Sequence, residues 1–219
     1  MRPRIFVVAL TVLAAASAHA VDLSLSTRAI EEAIDAGQSR IESYRRRFQA
    51  PYHLVVARPP VDYIEVVTPF RRVALAAETR ARIGDRSFAQ REALQTLAEA
   101  PQQIDLLIEL TFNPMNTFVG VPAYEVQVVA PGARPSPESA VAVERFARFG
   151  VRTDPAGLTL PYPYVFGTRL PDGSEPLLGG TLLVHLDGNA VAKGGLYDVL
   201  VIDARQELSR TRVDFRALR

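Results

Sequence analysis

The sequence predicts a mainly β protein with a helical N-terminal segment (α+β), built as an antiparallel β-sandwich of about eight strands. Three observations carry this. Residues 104–112 alternate apolar and polar with a strict period of two. Further short apolar runs follow one another between Pro, Gly and Asn turn signals, the spacing of a sandwich. The helical period is concentrated early, and the chain shows neither a βαβ rhythm nor a repeat of 20–50 residues.

The chain opens on a secretory leader. Arg2 and Arg4 form a positive start, Ile5 to about Ala16 is a short apolar run, and Ala18-His19-Ala20 is a small-x-small cleavage site. The run is about a dozen residues, whereas a membrane-spanning helix needs about 20. Cleavage after Ala20 is expected, leaving one globular domain over 21–219 in the periplasm or outside the cell.

The formal net charge is +1, and removal of Arg2 and Arg4 takes it to about −1. A charge this small creates no long-range field toward nucleic acid or an anionic membrane. The chain has no cysteine. Disulfides, thiolate metal sites and cysteine nucleophiles are therefore excluded, as is a lipid-modified cysteine anchor. Lys193 is the single lysine, an arginine bias that codon composition explains without anion recognition.

The first element is a helix over about 25–48. Ile30, Ile34, Gly37, Ile41, Tyr44 and Phe48 recur at spacings of three and four, Ser26 or Thr27 can cap the start, and Pro51 ends it. Gly37 lies on the apolar face and marks either a close contact or a break into two shorter helices. Arg45, Arg46 and Arg47 suit the helix C-terminus. They fan over about 200° and do not converge on one ligand unaided.

Leu54–Ala57 and Tyr63–Val67 read as strands stopped by Pro59-Pro60 and Pro69. Residues 71–83 alternate at Val73, Leu75, Ala77, Thr79, Ala81 and Ile83 and are read as strand rather than helix. A helix over about 86–99 starts on a Ser87/Gln90 capping box and buries Ala93, Leu94 and Leu97. The strand from Ile104 to Phe112 follows, with Tyr124–Ala130 as its expected partner across a long 113–122 connection. Residues 141–152 are read as strand, and Leu158–Leu160 as a short one. Tyr162, Tyr164 and Phe166 recur at i, i+2 and i+4 between prolines, which suits an edge strand. Thr181–Leu186 runs into an Asp187-Gly188-Asn189 turn. Leu196–Ala204 and Ser209–Ala217 form a hairpin around Arg205-Gln206, with Thr211, Val213 and Phe215 facing in and Arg210, Arg212, Asp214 and Arg216 facing out.

Motifs that would declare a chemistry are missing from the sequence. It has no Gly-x-Ser-x-Gly elbow, no phosphate-cradling glycine loop followed by lysine, and no His-Glu-x-x-His pair. The mature chain holds two histidines, His53 and His185. No cofactor or metal site is predicted. The candidate ligand-binding residues are Asn113 and Asn116 in the long connection, Tyr162 and Tyr164 as a stacking ladder, and His185. His185 lies two residues before Asp187 and is a potential general base.

The expected function is a non-enzymatic binding or envelope-assembly module, partnered by another envelope protein or a glycan. The alternative is an extracytoplasmic hydrolase with dispersed residues around His185, which requires that His185 meet a second polar group. An outer-membrane barrel is disfavoured by the absence of tryptophan and by the charged outer face of the last strand.

Overall fold

The computed structural model describes residues 21–113, 116–149, 152–153, 159–160 and 177–219. The leader and the Tyr162-Tyr164-Phe166 ladder lie outside the described residues.

Two antiparallel sheets and several helices make a mainly β, sandwich-like architecture. Strands β1 (His53–Arg58), β2 (Val61–Val67), β3 (Gln103–Thr111), β9 (Leu177–Asp187) and β6 (Val143–Phe149) form a five-stranded sheet in the order β1-β2-β3-β9-β6. A four-stranded sheet runs β11-β10-β4-β5, from β11 (Gln206–Asp214), β10 (Leu196–Asp203), β4 (Glu125–Val129) and β5 (Ala140–Val141). The short strands β7 (Arg152–Thr153) and β8 (Thr159–Leu160) pair with each other. The two main sheets thus hold nine strands among the described residues, close to the eight expected. Among the described residues the α-helices are α1 (Thr27–Gln38), α2 (Glu42–Gln49), α3 (Pro69–Arg82), α4 (Gln90–Glu99) and the short α5 (Gly188–Gly194). None is long and apolar enough to cross a membrane.

The expected single helix over 25–48 is two. Ser26 caps α1 by accepting from the Ala29 N–H at 3.2 Å. At Ser39 the backbone turns extended, and its hydroxyl accepts from the Ile41 N–H at 3.2 Å. That local bond competes with the helix and breaks it. Just beyond the break the stripe leaves the core at Ile41 and Tyr44, which are exposed. Gly37 marks a close contact. A Cβ there would run into the Ala74 carbonyl oxygen of α3 and lie 2.8 Å from the Ala77 Cβ.

The strand expected over residues 71–83 is helix α3. Thr68 caps it by accepting from the Arg71 N–H at 3.2 Å, and Pro69 occupies the first turn. The buried residues of α3 include Phe70, Val73, Ala74 and Ala77, a period of three and four. Alternation among small alanines mimicked a strand, and Ile83, which it placed on one face with Val73, is exposed. The start of α4 also differs from expectation. Ser87 bonds Asp85 instead of capping, and Glu92 accepts from the Ala89 N–H at 3.1 Å. Of the expected stripe Ala93 is buried, but Leu94 faces out.

In β3, Ile104, Leu106, Ile108 and Leu110 are fully buried, as the alternation requires. Its neighbours are β2 and β9, not the 124–130 strand. The long connection after Phe112 instead carries the chain into the second sheet, where β4 pairs with β10 and β5. Residues 141–149 are strand as expected but divide between the sheets. A single residue, Ala142, separates β5 in one from β6 in the other. The Asp187-Gly188-Asn189 signal opens α5 rather than a tight turn, with Asp187 capping it through the Asn189 N–H at 2.9 Å. The β10–β11 hairpin forms, but its turn is Ala204-Arg205, and Gln206 already pairs with Asp203. The second strand ends at Asp214, where Phe215–Ala217 turn into a short 3-10 helix capped by the Asp214 side chain.

One hydrophobic cluster joins Leu106, Ile108 and Leu182 of the first sheet, Val126, Val199 and Val213 of the second, and Ile30 and Val73 of the helices. Phe215 is fully buried and meets Tyr197 edge-on at 5.9 Å. On the other face of β10, Leu200 and Ile202 pack with Val129. There Asp198 is buried and accepts from the Gly132 N–H at 2.8 Å, Arg212 Nε at 3.0 Å and Arg210 Nη1 at 3.3 Å.

Candidate functional site

The residues that alternate with the buried positions of β3 form the outer face of the five-stranded sheet. Register sets its rows. Asp105 lies opposite His185, Leu107 opposite Leu183, and Glu109 opposite Thr181. The rows continue through β2 at Tyr63 and Glu65 and through β6 at Glu144 and Phe146.

His185 is the centre of this face. Its Nδ1 lies 2.7 Å from Asp105 Oδ1, and its Nε2 lies 3.4 Å from Glu144 Oε1. Asp105 is held in turn. The Gln103 amide donates to Oδ1 at 2.6 Å, and Arg72 Nη2 donates to Oδ2 at 2.9 Å. Arg72 also donates to the Ala100 and Gln103 carbonyls at 2.8 and 3.0 Å, so α3 fixes the entry to β3. The hydrogen bond to Asp105, helped by Glu144, raises the His185 pKa above its ordinary value. Burial pushes the Asp105 carboxyl up, but the bonds from His185, Gln103 and Arg72 outweigh it and leave the pKa lowered.

A second polar set lies beside the first. Glu109 pairs with Arg148 and accepts from the Thr181 hydroxyl at 2.9 Å, while Arg148 Nη2 donates to the Leu110 carbonyl at 3.1 Å. Toward the β1 edge the rings of His53 and Tyr63 lie 4.2 Å apart. Val55 and Phe146 are exposed at the two ends of the row through Tyr63, Glu109 and Thr181. The outer face thus combines charged groups in fixed positions with aromatic and aliphatic surface.

Each sequence candidate can be placed against this face. His185 lies on it, with polar groups at both ring nitrogens. Asp187, two residues on, caps α5 and is not the partner of His185. That partner, Asp105, is eighty residues away in sequence. His53 shares the face but is three strands off, about 14 Å at ordinary strand spacing. Asn116 lies elsewhere and pins the long connection. Its amide donates to the Asn113 carbonyl at 2.8 Å and the Leu177 carbonyl at 3.0 Å, and its side-chain oxygen accepts from the Phe118 N–H at 3.0 Å. Asn113 begins that turn. Tyr162 and Tyr164 lie outside the described residues.

Among the described residues no cluster of three or more His, Cys, Asp or Glu is arranged to hold a metal ion. No hydroxyl among them hydrogen-bonds His185. The imidazole is flanked by two carboxylates, which favour its protonated form. A nucleophile–base pair would need a hydroxyl in place of Glu144.

The sequence did not point to a cavity of about 390 Å³ between the first helices and the chain end. Phe48, Tyr52 and Phe70 form its aromatic wall, and Arg219 lies over the Phe70 ring at 4.5 Å while pairing with Glu32 at 2.8 Å. His185 does not line it.

No protein-family model, curated protein or solved structure matches this chain.

Proposed function

We propose that this chain is an extracytoplasmic, non-enzymatic binding module that seats an envelope protein or a glycan across the outer face of its five-stranded sheet. The leader at residues 1–20 supports export. The observation that carries the binding reading is the outer face itself. His185, Asp105, Glu109 and Arg148 are held by one another, so a ligand meets hydrogen-bonding groups that are already ordered. Tyr63, His53 and Phe146 add surface on which a sugar ring or an apolar side chain can lie.

A photoreactive amino acid placed at Val55 or Tyr63, with Leu94 on α4 as control, tests this in the intact envelope. Adducts from the two sheet positions and not from Leu94, identified as protein or glycan by mass spectrometry, are the expected result. Equal labelling from Leu94, or none from the sheet, rejects the reading.

A second reading, an extracytoplasmic hydrolase around His185, is favoured by the 2.7 Å His185–Asp105 pair, since such a pair can orient an imidazole as general base. It requires turnover of an envelope ester, amide or glycoside that His185→Ala abolishes without unfolding the protein.

A further inference from the structure

The edge strand β6 carries an inference about partners that needs no ligand. Among the described residues nothing pairs with its free edge. It is seven residues long, has no proline, and is exposed from Glu144 to Phe149. Phe146 and Phe149 are 52% and 48% exposed. Where its pairing with β9 shifts, between Arg148 and Phe149, the extra residue is Leu178 of β9, so β6 itself stays regular. The other edges are less inviting. β5 has two residues, and β1 is irregular between Val55 and Arg58 and ends at Pro59. β11, though nine residues long, carries an extra residue, Leu208, where its pairing with β10 shifts. Proteins ordinarily blunt a long exposed edge by such devices.

The sequence of β6 is self-complementary in one antiparallel register. Centred on Phe146, it places Glu144 of one copy opposite Arg148 of the other, twice by symmetry. Phe146 meets Phe146, Val143 meets Phe149, and Arg145 meets Ala147. No like charges face each other. A register centred one residue earlier sets Arg145 against itself. Within one strand Glu144 and Arg148 are four residues apart, about 13 Å, too far to pair. Both are about half exposed or more, at 59% and 49%. Arg148 also pairs with Glu109, and Glu144 lies 3.4 Å from His185 Nε2, so meeting across the edge requires each side chain to turn outward from these contacts. Opposite charges directly across strands are favourable, and so are aromatic pairs.

We infer that β6 is a homodimer interface: two copies pair edge to edge through β6 in the register centred on Phe146, joining two five-stranded sheets into one of ten strands. The operation is a twofold, so the interface closes and does not propagate. The outer faces of both copies then form one continuous surface.

Sedimentation of the leaderless full chain, 21–219, tests this. The wild type is expected to be a monomer–dimer equilibrium. Glu144→Arg and Arg148→Glu, each setting like charges opposite one another, are each expected to weaken dimerisation at least about tenfold. The double variant E144R/R148E is expected to recover to within about threefold of wild type. The cysteine-free background adds a register test. Under mild oxidation Phe146→Cys is expected to form a disulfide dimer, because the paired Cα atoms would be about 4.5–5.5 Å apart. Arg145→Cys, which faces Ala147, is not. A wild type that is monomeric throughout overturns the proposal. So does a dimer that ignores both charge reversals, or Phe146→Cys that crosslinks no better than Arg145→Cys. Thermal unfolding of each variant confirms that the fold is retained.

Discussion

Gly37 of α1 lies against the Ala74 carbonyl of α3, so close that a methyl group there would occupy the oxygen's place. Helix propensity alone favours alanine over glycine by about 1 kcal/mol. Packing reverses the sign here. Gly37→Ala is expected to destabilise by about 2 kcal/mol, since the backbone oxygen can yield only if α1 moves off α3. Denaturant unfolding checks it, and a raised midpoint would show that the helices separate freely.

Asp198 is buried with three donors on its carboxylate. Asp198→Asn leaves Arg210 and Arg212 without their shared anion, though Arg212 is exposed and Arg210 keeps Glu207, and is expected to cost about 1–2 kcal/mol. The bond from Arg212, with those from Gly132 and Arg210, outweighs burial and lowers the Asp198 pKa. A depressed carboxyl stabilises the fold above its unfolded pKa of about 4, and that contribution is lost as pH falls through the lower folded value. Acid unfolding of wild type below about pH 4 should therefore be steeper than that of Asp198→Asn.

His185 has the opposite sign. Its pKa is raised by the hydrogen bond to Asp105 and by Glu144. The stabilisation it supplies is complete below its unfolded pKa of about 6.5 and is lost as pH rises through the folded value. The side chain is 44% exposed, so solvent screening keeps the effect below about 1 kcal/mol. Unfolding midpoints followed upward from pH 6 should decline in wild type and stay level in His185→Gln. A level wild-type curve would show that the carboxylates do not hold the imidazolium.

Phe215 is fully buried against Tyr197. Phe215→Ala is expected to cost about 3–4 kcal/mol by emptying that site. Chemical denaturation reads this directly, and an unchanged midpoint would place the ring outside the core.

The legible part of this fold was the part written in period two. β3 declared its buried face at Ile104, Leu106, Ile108 and Leu110, and the β10–β11 hairpin declared its turn to within one residue. α3 hid because Val73 and Ala77 satisfy both periods, and small alanines between them do not discriminate. Thr68-Pro69, a cap followed by proline at the first helical position, was the signal that could have decided it. The helix break falls at Ser39, two residues past Gly37, where the sequence offered a break as one of two readings. Ile41 and Tyr44 continue the stripe although exposed, and Phe48 returns to the core against Phe70. For the site, the sequence singled out His185 and named the wrong neighbour. Asp187 is near along the chain, but strand register makes Asp105 the partner, and register between residues eighty positions apart leaves no local trace. Arg72, which steadies Asp105, sat in a segment read as strand and could not be placed.

Ala142 is the whole length of chain between β5 in one sheet and β6 in the other. So short a splice gives the sheets no slack: a slip of one against the other would have to break strand pairing at Val126–Val141 or at Val143–Val184. Opening of the two sheets to solvent is thereby coupled at this point, and the amide protons of Val141 and Val143 should exchange with deuterium as one cooperative unit rather than on separate clocks.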